Sequence, residues 1–275
     1  MTEIGINTIN IVHLVSRIYK SRELIFQMTK REVIGRYRGS VLGLLWSFFN
    51  PMLMLAIYTF VFSVVFKARW GVEGESRFEF ALILFAGLIV FNIFSECINR
   101  APSLIIGNIN YVKKVVFPLE ILPLVSLGAA LFHGFISFGV LVLFYVLVSS
   151  TLPWTVIFAP LVIIPLLLMT LGISWFLASF GVFVRDVAQA IGMLTTVLMF
   201  ISPIFFPVTM LPQKYRIFIY INPLTFIIEE MRNVVIWGRL PSWSGWCAAM
   251  VLGIGVAWIG LTWFQKTRKG FADVL

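Results

Sequence analysis

The side chains able to do chemistry fall into a few groups. Lys30, Arg31, Arg36 and Arg38 place four cations within nine residues, and Lys113 and Lys114 form a second basic pair. Such groups suit phosphate, and equally the anionic headgroups and charge bias that orient a membrane helix. Glu229 and Glu230 are adjacent carboxylates, with Arg232 two residues on. Adjacent positions point apart on a helix, so a helix end or a pairing with Arg232 is expected there rather than an acid/base dyad. His133 stands inside a long apolar run; a hydrogen bond between helices and a substrate or gating role are its two readings. Glu96 is the one acid near a span, whereas a proton relay needs several.

Other chemistry is excluded. No Gly-Lys dipeptide occurs, so the chain has no GxxxxGK[ST] loop and cannot hydrolyse ATP by that route. HExxH and GxSxG are also missing. Cys97 and Cys247 have no metal or redox spacing, and the topology below sets them near opposite faces of the membrane, with no disulfide expected. The chain is therefore read as having no catalytic residue, no metal ligand and no cofactor of its own.

The elements carrying these residues are membrane helices. Of 275 residues 60% are apolar and 12% charged, with mean hydropathy +0.99, about half the charge of a soluble domain. Long unbroken apolar runs rule out a barrel, whose strands alternate. The net charge of +9 sits at the ends of apolar runs, which assigns it to membrane lipids rather than nucleic acid. Roughly 20 apolar residues cross the ~30 Å hydrocarbon core, and six spans are expected at 39–66, 80–96, 121–148, 154–184, 187–203 and 242–264. The first is uncharged over 28 residues from Gly39 to Phe66, with Asn50-Pro51 near its middle. Residues 1–38 carry seven Lys/Arg and no signal-peptide core. Ile11, Leu14, Val15 and Ile18 predict an amphipathic helix in the cytoplasmic interface. A short helix is predicted from about Pro102 to Val112, with Pro118 as a stop.

Residues 207–238 are too short and too interrupted to span. The 12-residue apolar patch Ile217 to Ile228 is broken by Asn222-Pro223 and followed by Glu229 and Glu230. Two short helices re-entering the outer leaflet are expected. Both termini then lie inside, and 14 of the 21 Lys/Arg fall on inner segments. The result is one all-α integral membrane domain. Aromatic residues are abundant: Tyr58, Phe62 and Phe66 share one face of the first span, and Phe200, Phe205 and Phe206 end the fifth. Sugars can slide over such rings; helix packing and interfacial belts are the alternative.

RYRGSVLGLLWSFFNPM, YVKKVVFPLEILP, GVFVRDVAQ, SPIFFP and NPLTFIIEEMRNVVIWG together resemble the permease subunits of ABC-2 type polysaccharide exporters, those of O-antigen, capsule and teichoic acid. The resemblance spans nearly the whole chain. It implies a homodimer enclosing a channel, two copies of a separate cytoplasmic ATPase that binds ATP and magnesium, and a lipid-linked polysaccharide as substrate in the bacterial cytoplasmic (inner) membrane. It places ATPase contacts at Pro102, Ser103, Asn108, Tyr111, Arg185 and Asp186, and an outer gate at Asn222, Pro223, Glu229, Glu230 and Arg232. Arg36, Arg38, Lys113 and Lys114 are candidates to meet a lipid pyrophosphate at the inner mouth. Tyr58, Phe62, Phe66, Phe200, Phe205 and Phe206 are candidates to line the channel. An exporter of a small hydrophobic compound and a polyprenyl-phosphate transferase are the alternatives; the latter needs acidic metal-binding clusters that the inner loops lack.

Overall fold

The computed structural model describes residues 19–65, 70, 77–113 and 117–275. The amphipathic helix expected before residue 19, Phe66 and Lys114 lie outside the described residues. Every regular element among the described residues is helical. Among the described residues five helical stretches are long and apolar enough to cross a membrane: Gly43–Phe62, Phe78–Ser103, Leu119–Ser149, Trp154–Phe183 and Trp243–Val274.

Helix α1, Arg22–Arg36, is polar and buries only Met28 and Val33. Gly39 and Gly43 follow it with φ of 86° and 50°, left-handed conformations that glycine adopts without penalty. They turn the chain into α2, Trp46–Tyr58, which runs through Pro51 and loosens into a π-helical stretch, Thr59–Val65. Helix α3, Arg77–Arg100, is the hub. It packs against α2 and four later helices, and residues Phe80 to Phe91 are buried without a break.

The helix predicted over Pro102–Val112 is broken. The segment forms 3-10 turns at Ala101–Ser103 and Ile106–Asn108 and then a short α4, Ile109–Lys113. The Ser103 hydroxyl donates to Arg100 O at 2.9 Å and the Asn108 amide to Leu104 O at 2.8 Å, and such side-chain bonds compete with the helical ladder.

Helices α5, Leu122–Ser149, and α6, Ala159–Phe183, form the expected hairpin. Ser150 ends α5 in the left-handed region at φ 58°, and Pro153 follows. Helix α7, Val187–Ile201, is apolar but has 15 residues, about 22 Å of rise. Helices α8, Gln213–Ile221, and α9, Pro223–Val235, meet at Asn222. Its Oδ1 accepts from Leu224 N at 3.0 Å, its Nδ2 donates to Ser202 Oγ at 2.8 Å, and Pro223 takes the first helical position. Asn-Pro is thus a stop and a cap together.

Helix α10, Trp243–Thr267, lies along α6 in the same direction. Trp246 bonds Leu161 O at one end, and Ser179 meets Thr267 at the other. A Cβ built on Gly260 would stand 1.9 Å from Gly172 O. Only glycine permits this approach, which replaces the hydrophobic drive that helices lack in lipid. Helix α11, Phe271–Val274, tucks the buried Phe271 against Phe183 and Phe264.

Candidate functional site

Two helix faces carry the site. Phe85, Ile89, Asn92, Glu96 and Asn99 recur at steps of three and four along α3, and Ser47, Asn50, Met54 and Tyr58 do so along α2. Such steps set residues on one stripe. The stripes line a cavity of about 540 Å³, closed on a third side by Ala130, His133, Gly134 and Ser137 of α5. The α2 helix alone does not shape it. Gly134 lies so close to Ile93 that a Cβ there would meet it at 2.6 Å, which brings α5 onto α3.

The lower end is polar. Arg36, at the end of α1, donates to Glu96 Oε1 at 2.5 Å and to His133 Nδ1 at 3.2 Å. His133 Nδ1 also lies 3.4 Å from Glu96 Oε1. His133 Nε2 is buried with no hydrogen-bond partner among the described residues. Tyr37 sets its ring edge-on to His133 at 6.0 Å. Burial raises the Tyr37 phenol above its ordinary pKa, with Arg36 opposing and Glu96 reinforcing the shift, so it stays a neutral donor. Asn92 and Asn99 are exposed to the cavity although the helix around them is largely buried. Asn99 Oδ1 accepts from Thr195 of α7 at 2.9 Å. The rings on the lining are those of Tyr37, Tyr58 and Phe85, and a separate aromatic cluster lies outside it. Phe62 stacks on Phe205 at 5.8 Å, Phe205 on Phe200 at 5.8 Å, and Phe62 lies 5.9 Å from Phe80.

The cavity offers an ion pair, amides, hydroxyls and the rings of Tyr37, Tyr58 and Phe85. It can hold hydroxylated groups by exchangeable hydrogen bonds and let apolar faces pass over rings. Among the described residues no three His, Cys, Asp or Glu side chains are grouped to hold a metal.

The ABC-2 type transporter family matches residues 23–236. The chain belongs to that family. It is similar to the O-antigen export system permease protein RfbA of Myxococcus xanthus, 26% identical over 264 residues, which is 95% of this chain and 99% of the relative. A Klebsiella pneumoniae protein of the same name is 28% identical over 255 residues, 92% and 95% of the two chains. The polysialic acid transport protein KpsM of Escherichia coli is 27% identical over 225 residues, 79% and 82%. This ABC-2 family member is therefore a multi-pass membrane protein related over most of its length to polysaccharide export permeases.

The expected site residues of this ABC-2 protein are distributed as follows. Of the basic candidates, Arg36 lines the cavity, Arg38 is exposed outside its lining, and Lys113 donates to Leu275 O at 2.5 Å. Among the aromatics Tyr58 lines the cavity, Phe62, Phe200 and Phe205 form one stack, and Phe206 is half-buried. The ATPase-contact candidates converge. Tyr111 accepts from Arg31 of α1 at 2.9 Å and stacks on Phe117, Arg100 pairs with Glu32, and the buried Pro102 lies under Gly181, where a Cβ would be 2.2 Å from Pro102 O. Ser103, Arg185 and Asp186 are exposed at that end, and Asn108 is half-buried.

The outer candidates form a different centre. Glu229 and Glu230 take separate partners: Glu229 Oε1 accepts from Arg232 at 3.3 Å, and Glu230 Oε2 accepts from Ser242 N at 3.0 Å. Arg232 is 0% exposed. It donates to Ile83 O at 3.0 Å, Pro203 O at 2.6 Å and Ile204 O at 3.0 Å, and its guanidinium lies 4.3 Å over the Trp70 ring. Sequence reasoning missed the cavity roles of Asn50, Asn92 and Asn99. The signal was present for α3, where Asn92, Glu96 and Asn99 share one stripe.

Proposed function

We propose that this protein is the channel-forming permease subunit of an ATP-driven exporter that moves lipid-linked polysaccharide across the bacterial cytoplasmic membrane. The observation that carries the reading is the cavity between α2, α3 and α5: an amide- and hydroxyl-lined groove that also presents the rings of Tyr37, Tyr58 and Phe85, in a chain related to polysaccharide export permeases. A second copy of the chain completes the channel. A separate ATPase chain, two copies per dimer, binds ATP and magnesium and docks where α1, α4 and the Arg185-Asp186 turn converge.

The chain crosses the membrane six times with both ends inside. The parallel course of α6 and α10 supports this count, because the chain must return to the outer side between them and α7 is the apolar helix available to do so. The ends of the hairpins agree. Arg268 reaches Glu120 at 2.8 Å on the inner side, while Thr155 donates to Val234 O at 2.6 Å and Tyr145 to Ile236 O at 3.0 Å on the outer side. Helices α8 and α9 re-enter the outer leaflet and gate the exit. Substrate enters at Arg36, Tyr37 and Arg38, where the pyrophosphate meets cations while sugar hydroxyls engage Asn92 and Asn99.

The test is export of polymer to the surface of cells whose only copy is the variant, measured by antibody labelling at equal membrane abundance. Asn92→Leu with Asn99→Leu should cut labelling by about tenfold or more, as expected when hydrogen-bonding partners are replaced by apolar surface. Wild-type labelling in that variant would defeat the reading.

A further inference from the structure

A second cavity, of about 510 Å³, lies on the outer side, away from the groove between α2, α3 and α5. Its lining includes Trp70, Tyr220, Glu229, Asn233, Trp237 and Arg239. Three aromatic rings stand here with one carboxylate, one amide and one guanidinium, beside Pro207, Val208 and Thr209. The volume lies within the ~300–1,000 Å³ of ordinary ligand pockets.

The set is built and supported. Trp70 is 8% exposed and is held from behind by the Arg232 guanidinium and by Phe80 at 5.7 Å. Tyr220, 65% exposed, stands at the rim. Glu229 commits Oε1 to Arg232, and its Oε2 makes no hydrogen bond among the described residues. Arg239 is exposed, and its backbone N–H donates to Asn233 O at 2.8 Å, which ties the loop after α9 to the helix.

The chemistry selects among ligands. Aromatic faces carry negative charge density, which suits the C–H face of a pyranose ring. Carboxylate, amide and guanidinium groups accept from and donate to vicinal hydroxyls. A phosphate would have to sit beside the Glu229 carboxylate, which Arg232 pairs from behind, and would find Arg239 as its one cation on the lining. An acyl chain would strand the polar groups without partners. We infer that this outer cavity is a saccharide subsite that takes a neutral pyranose residue through the Tyr220 and Trp237 rings and the Glu229, Asn233 and Arg239 side chains. The inference rests on the exporter reading above and adds to it a place where the emerging polymer is held after passing the groove.

The experiment uses the full chain in lipid nanodiscs, with whatever ATPase subunit accompanies it. The probes are the methyl glycosides of mannose, galactose, glucose, rhamnose and N-acetylglucosamine, read by saturation-transfer difference NMR. At least one should bind the wild type. Its affinity should fall about five- to tenfold in Tyr220→Ala, the amount one aromatic contact supplies, and return in Tyr220→Phe. Arg239→Ala should weaken it as well. Both residues are exposed, so neither change threatens the fold. Asn92→Ala, in the groove, should leave the Tyr220-dependent part of this binding in place, whatever it does to sugar held in the groove itself. The inference is overturned if no glycoside binds, if binding ignores Tyr220, if only Asn92→Ala abolishes it, or if inorganic pyrophosphate displaces the sugar. ATP-driven export measured on the same wild-type protein separates the two claims: export without glycoside binding sinks the subsite alone, and Tyr220-dependent binding without export keeps the subsite and sinks the exporter reading.

Discussion

Replacing Arg232 with methionine should unpin the outer helices from the hub. The side chain is fully buried and ties α9 to three backbone carbonyls, those of Ile83 in α3 and of Pro203 and Ile204 after α7. Methionine fills much of the volume but donates nothing. Each stranded carbonyl costs ~1–3 kcal/mol, and removing the cation also leaves Glu229 without its partner. Against this stands the desolvation of the guanidinium, which the variant no longer bears. The balance falls near the ~3–5 kcal/mol typical of breaking a buried charge network from one side. At ~2–4 °C per kcal/mol for chains approaching this size, the melting temperature should drop by about 10 °C. Lysine keeps the charge but cannot reach carbonyls on two sides, so Arg232→Lys should recover less than half. The assay is detergent-solubilised thermal unfolding followed by size-exclusion chromatography. A methionine variant melting within about 2 °C of wild type would refute the reasoning, because the carbonyls would then be satisfied without Arg232.

Three further outcomes follow from the geometry. Gly260→Leu should separate α6 from α10, since even a Cβ there meets Gly172 O at 1.9 Å; the variant should lose its monodisperse elution peak, whereas Gly255→Ala, with nothing within 4 Å, should keep it. Arg268→Ala should remove the 2.8 Å ion pair of the buried Glu120, just before α5, and lower the melting temperature by several degrees, and Arg268→Ala with Glu120→Gln should regain part of the loss. Glu96→Arg should abolish the Arg36 pairing and reduce membrane abundance severalfold by immunoblot, with Arg36→Glu in the same chain restoring a measurable share; equal abundance of the single and double variants would argue against the pairing.

Much of this was legible in the sequence because it depends on local chemistry. Asn222-Pro223 announces a helix stop and a cap, and the Ser149–Pro153 cluster announces a hairpin. The adjacency of Glu229 and Glu230 says that they diverge, and they do. What depends on how helices rotate and approach was not legible. Arg36 reads as a free cation beside Arg38, yet α1 packs on α5 and delivers it to Glu96 and His133. Arg232 reads as a counter-ion for two glutamates, yet its main partners are carbonyls from distant segments, and a backbone carbonyl carries no mark in a sequence. The predicted helix over Pro102–Val112 failed because Ser103 and Asn108 turn their polar groups back on the main chain. Among the described residues five helical stretches are long enough to span, while α7, at 15 residues, depends for its role on the parallel packing of α6 and α10.

The most direct test of the central claim is reconstitution. The protein is isolated from its native membranes in mild detergent, the stoichiometric partner is identified by mass spectrometry, and the complex is placed in liposomes bearing lipid-linked glycan on one face. The account predicts an ATPase chain at one copy per permease chain and glycan transfer to the other face that requires ATP hydrolysis. An intact protein that carries no ATPase, or glycan transfer indifferent to ATP, would contradict it.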